Sequence, residues 1–133
     1  MELQHLNWGD MRNILIVGLG GFAGSVLRYL ISVYSLQFYA GKFPLATLLV
    51  NVIGSILIGL AYGFAERFDW MSPSMRLLIA TGFCGGFTTF SAFAFENVKL
   101  LQNNEYGLFA GYVVLSVVVC IGGAVIGLLV SRL

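Results

Sequence analysis

Charge is scarce in this sequence. Only 10% of its 133 residues are Asp, Glu, Lys or Arg, where a soluble domain carries about a quarter. The formal net charge is +1, so nothing in the charge balance suggests a surface for nucleic acid or a polybasic surface for lipid. Histidine occurs once, as His5, and cysteine twice, as Cys84 and Cys120, without metal-ligand spacing. A structural zinc site, a disulfide framework and histidine-based catalysis are thereby set aside. No nucleophile–base pair or metal constellation points to an enzyme. The opening stretch "MELQHLNWGDMRN" carries Glu2 and Asp10 and lacks a small-residue cleavage site, so it is expected to remain in the mature chain.

Apolar residues fill the space that charge leaves. Hydrophobic side chains make up 59% of the chain, and the mean hydropathy is +0.91. Four runs stand out, at about 14–35, 43–65, 75–101 and 106–132. Each is close to or above the roughly 20 residues that cross the hydrocarbon of a bilayer. They are too long for strands and do not alternate, and an open sheet edge cannot sit in lipid. The pattern predicts one all-α membrane domain of four transmembrane helices, multi-pass in the cell (inner or plasma) membrane. Short polar links, "QFYAGK", "ERFDWMSPS" and "QNNE", join the runs. Ser72 is placed to cap the third helix, with Pro73 at its first position. Four crossings put Arg12, Arg67, Arg76 and Arg132 on one side and Lys42 and Lys99 on the other. With Glu2, Asp10, Glu66 and Asp69 offsetting the excess, the positive-inside rule gives only a weak instruction.

Three glycine pairs spaced by four, Gly20/Gly24, Gly59/Gly63 and Gly123/Gly127, let helix backbones approach closely. Four short-looped helices filled by side chains leave little room for an internal conduit. A pathway is therefore expected between copies, in a homo-oligomer.

Polar residues inside the runs fall on helical stripes: Thr47, Asn51 and Ser55; Tyr112, Ser116 and Cys120; Thr89, Phe93 and Glu96; Gly24, Arg28 and Ser32. One by one, such groups serve as glue between helices. Together, in so small a chain, they point to a hydrated track. Arg28 and Glu96 either snorkel to the surface or orient neighbours. The stretch "GFCGGFTTFSAF", Gly82 to Phe93, is a poor helix interior. It is either a close-packing glycine patch or a break. A break is tolerated only where freed backbone groups are buried or line a cavity, and freed carbonyls there suit a small cation. Phe83, Phe87 and Phe90 are expected on one face, with Phe90 and Phe93 three apart. Ring edges are positive and can border an anion weakly enough to let it leave.

The stretch "GFCGGFTTFSAFAFE", with "GGFAGSVLR" in the first run and "TLLVNVIG" in the second, resembles the fluoride channels of the Fluc (CrcB) family over nearly the whole chain. The resemblance implies a passive, fluoride-selective channel that exports fluoride from the cytoplasm. It implies an antiparallel, dual-topology homodimer with a break in the third helix and two pores. It also implies a sodium ion at the dimer centre, held by backbone carbonyls that map to Gly85 and Thr88. The pore phenylalanines map to Phe90 and Phe93, the pore asparagine to Asn51 and the vestibule arginine to Arg28. Thr47, Glu96, Tyr112 and Ser116 match polar positions along the route. Ala92, Ala94 and Cys120 depart from the family pattern. Two rivals stand beside this reading. A small dual-topology multidrug or ion exporter needs a midmembrane carboxylate in its first helix, and residues 14–35 contain none. A non-transporting membrane subunit explains the glycines but not the polar stripes beside a phenylalanine pair.

Overall fold

The computed structural model describes residues 7–133; Glu2, His5 and the rest of residues 1–6 lie outside the described residues. Regular structure among the described residues is entirely helical, and four helices are long and apolar enough to cross a membrane. Helix α1 spans Trp8–Phe38 and α2 spans Leu45–Arg67. The third span, Pro73–Gln102, is composite. It runs as α3 (Pro73–Arg76), a π-helical segment (Leu77–Cys84), α4 (Gly85–Phe87) and α5 (Phe90–Gln102). Helix α6, Tyr106–Val130, completes the chain.

The ends follow local chemistry. α1 starts ahead of the apolar run because Asn7 and Asp10 form a reciprocal capping box, satisfying two orphan amides. Ser72 caps the third span by accepting from Met75 N at 3.2 Å, with Pro73 following. The link from α5 to α6 turns through Asn104 at φ 58°, a left-handed conformation that asparagine accepts more readily than most residues.

Glycine sets the packing. α1 lies along the upstream half of the third span, and α2 lies along α6. A methyl group on Gly24 would run into the Phe83 carbonyl and sit 2.7 Å from Phe87 N. One on Gly59 would strike the Ala124 carbonyl, and one on Gly127 the Ile56 carbonyl. Backbone thus meets backbone at both helix pairs. Elsewhere, large apolar side chains such as Leu19, Phe22, Val118 and Ile121 point outward, as a surface facing hydrocarbon requires. One cluster of buried apolar side chains joins Leu48, Leu100 and Tyr112, packed against Phe43, Val52, Phe93, Leu108 and Phe109.

Between α4 and α5 the chain leaves the helix for two residues. Thr88 (φ −79°, ψ 160°) and Thr89 (φ −151°, ψ 120°) are extended. This step corrects one expectation. Phe83 and Phe87 stack at 5.5 Å with Phe87 buried, whereas Phe90 is 79% exposed and pairs with Phe93. Helical periodicity does not carry across extended backbone, so Phe90 leaves the face of Phe83 and Phe87.

Candidate functional site

The residues around Thr88 and Thr89 show what replaces a helical ladder. Thr88 donates to the Cys84 carbonyl through both its amide, at 2.9 Å, and its hydroxyl, at 2.8 Å. Asn51 of α2 takes both backbone groups of Thr89. Its Oδ1 accepts from Thr89 N at 2.8 Å, and its Nδ2 donates to Thr89 O at 3.1 Å. Thr89 in turn caps α5, its hydroxyl accepting from Ala92 N at 3.2 Å. From α1, Arg28 Nε donates to the Gly86 carbonyl at 3.1 Å, and Ser25 Oγ donates to the same oxygen at 3.3 Å. Backbone polar groups in an apolar setting need such partners.

Beside this region lies an open groove of about 530 Å³ between α2, the third span and α6. Asn51, Gly85, Thr88, Phe90, Phe93 and Ser116 line it, and both cysteines reach it. Ser116 is 7% exposed, and its hydroxyl has no hydrogen-bond partner. Phe90 and Phe93 are 5.6 Å apart between ring centroids and tilted by 43°. Phe93 then meets Tyr112 at 5.0 Å.

Beyond Phe93 a second polar cluster forms. Glu96 accepts from the Thr47 hydroxyl at 2.7 Å through Oε1 and from the Tyr112 hydroxyl at 2.8 Å through Oε2. One carboxylate thereby ties α2, α5 and α6 together. Thr47 and Tyr112 are buried, and bonds from hydroxyls to a charged acceptor in such a place are strong. Glu96 also borders a second cavity, of about 550 Å³, with Lys42, Lys99 and Glu105 on its wall. There Lys42 and Glu105 form an ion pair that links the α1–α2 and α5–α6 connections.

Of the residues singled out in the sequence, Asn51, Phe90, Phe93, Ser116, Gly85 and Thr88 meet at one groove. Thr47, Glu96 and Tyr112 form the adjoining cluster. Arg28 stands apart from both, on the α1 side of the third span. The hydroxyls of Ser32 and Ser55 turn back to their own helices, onto Arg28 O and Asn51 O. Ser25 and the Lys42–Glu105 pair were not singled out. Ser25 lies three residues before Arg28 on the same helix, a spacing that marks it as a neighbour. Nothing in the sequence brings Lys42 to Glu105.

Residues 15–128 match the family described as CrcB-like protein, Camphor Resistance (CrcB). The chain is similar to three proteins named Fluoride-specific ion channel FluC. That of Leptospira interrogans serogroup Icterohaemorrhagiae serovar copenhageni is 42% identical over 116 residues, covering 87% of this chain and 91% of the relative. That of Agrobacterium fabrum is 44% identical over 122 residues, 92% of this chain and 98% of the relative. That of Gloeothece citriformis is 46% identical over 106 residues, 80% of this chain and 85% of the relative. The matched span takes in part of every long helix together with the extended pair Thr88–Thr89, and the chain belongs to the CrcB family.

Proposed function

We propose that this protein is a fluoride-selective passive channel of the cell membrane that lets fluoride leave the cytoplasm and so lowers its toxicity. The observation that carries the reading is the groove. A paired Phe90 and Phe93 and the Asn51 side chain line one open space, with Ser116, whose buried hydroxyl has no partner, in its wall, in a chain similar along most of its length to proteins named for fluoride conduction.

Fluoride is small and strongly hydrated. To leave water it needs donors that replace its shell without trapping it. Ser116 offers an uncommitted hydroxyl, and the second Nδ2 proton of Asn51 remains after the bond to Thr89. The Phe90 and Phe93 rings present positive edges. An anion reaching Phe93 next meets Tyr112, Thr47 and Glu96, whose hydroxyls can turn from the carboxylate to the anion. Arg28 would act from outside the groove, on the backbone of the third span. A multidrug or ion exporter is not favoured, because α1 carries no carboxylate beyond Asp10 in its first turn. A non-transporting subunit leaves the groove without a purpose.

The groove is open on its side, and a second copy would close it. The reading is an antiparallel, dual-topology homodimer in which the break at Thr88–Thr89 meets its counterpart at the centre. The carbonyls of Gly85 and Thr88 suit a structural sodium ion there. Thr89 N is committed to Asn51, so the Gly85 carbonyl lacks the donor it would have in a continuous helix, and space beside Gly85 is open. Oxygen-only donors fit a hard cation, and unwound helix carbonyls are a usual place for one. Bound there, sodium would supply positive charge joining the carbonyls of two copies.

Purified protein in liposomes loaded with fluoride tests the reading. A fluoride electrode should record rapid efflux once potassium flux balances the charge, and little chloride efflux. Absence of fluoride flux from folded, reconstituted protein overturns it.

A further inference from the structure

Arg28 touches the third span at one atom. Its Nε donates to the Gly86 carbonyl at 3.1 Å. The reason that carbonyl is available lies in the chain itself. In a continuous helix the amide of Phe90 would serve it, and the extended pair Thr88–Thr89 carries that amide away. The carbonyl is also hard to reach. A methyl group on Gly86 would collide with the Gly21 carbonyl, so the α1 backbone lies directly against this residue. Gly21, Ser25 and Arg28 occupy one face of α1, a turn apart each. Gly21 makes the close approach, and Ser25 and Arg28 supply the donors. Among the described residues the ion pairs are Lys42–Glu105 and Arg132–Glu66, and neither involves Arg28.

We infer that Arg28 is a positioning residue that holds the interruption of the third span through Nε, as a neutral hydrogen-bond donor to Gly86 would, and that its positive charge is dispensable for this. Nε is bonded to Cδ. The amide nitrogen of a glutamine is bonded to Cδ as well and occupies the same place along the side chain. Lysine has a methylene there, with its ammonium one atom farther out. Glutamine therefore keeps the donor and loses the charge, and lysine keeps the charge and loses the donor at that point. An arginine that acted by attracting anions would give the opposite order.

The flux measurement rests on the channel reading above; amide exchange does not. Arg28→Gln, Arg28→Lys and Arg28→Met are each reconstituted and compared with wild type. Fluoride efflux through Arg28→Gln should exceed that through Arg28→Lys and Arg28→Met by about tenfold, the worth of one such hydrogen bond. Amide exchange over residues 84–92, followed by mass spectrometry, should be slow in wild type and Arg28→Gln and faster in the other two. Any result in which Arg28→Gln is no better than Arg28→Lys in both measurements overturns the inference. If wild type itself passes no fluoride, the channel reading falls, and the order of amide exchange alone decides the role of Arg28.

Discussion

Ser116 carries a cost with no visible return inside one chain. Its hydroxyl is buried without a partner, and leaving such a group unpaired costs about 1–3 kcal/mol. Ser116→Ala should therefore raise the melting temperature of the purified protein while lowering fluoride flux several-fold. A variant that is no more stable, or that conducts at the wild-type rate, would remove Ser116 from the route. Asn51 shows the limit of sequence reading at this scale. Its midspan place marked it as important, but one amide can serve an anion or a backbone, and its two bonds to Thr89 depend on α2 and the third span coming together. Glu96 is similar. A carboxylate near a helix end has many possible partners, and only the packed helices select Thr47 and Tyr112.

Elements are held by backbone contact more than by side-chain interlock. Gly24→Ala should lower stability measurably, because its methyl group meets the Phe83 carbonyl and the Phe87 amide, backbone atoms that cannot swing aside. Gly18 is the control in the same helix. Nothing lies within 4 Å of a methyl group placed there, so Gly18→Ala should be neutral or stabilise by up to about 1 kcal/mol through reduced chain entropy. Thermal melts in detergent compare the two; equal effects would mean that the close approach is not what holds α1. The existence of the helices and their glycine contacts was legible, since run length and four-residue spacing are local properties. The π-helical segment Leu77–Cys84 was not, because residue propensities do not mark a widened turn. The exit of Phe90 from the Phe83 face escaped as well, since periodicity is read on the premise that the backbone stays helical.

At the scale of the whole molecule, charge is distributed oddly. Apart from Arg28, every arginine lies toward the end that holds the α2–α3 link, and both lysines lie toward the other. The difference of four against two instructs insertion weakly. A single engineered cysteine in the "QFYAGK" link, on a background without Cys84 and Cys120, should be labelled from one face in about half the molecules, as even insertion demands. Labelling of essentially all or none, with flux intact, would exclude the antiparallel arrangement.

The side opening of the groove bears on how such a protein is made. A newly inserted copy lying alone turns the polar wall of the groove, with Asn51, Thr88 and Thr89, toward oil, where polar groups find no water. Such an orphan has every reason to seek a partner and none to remain apart. If that partner must be inserted the other way up, the slower of the two insertion directions sets the yield of finished protein.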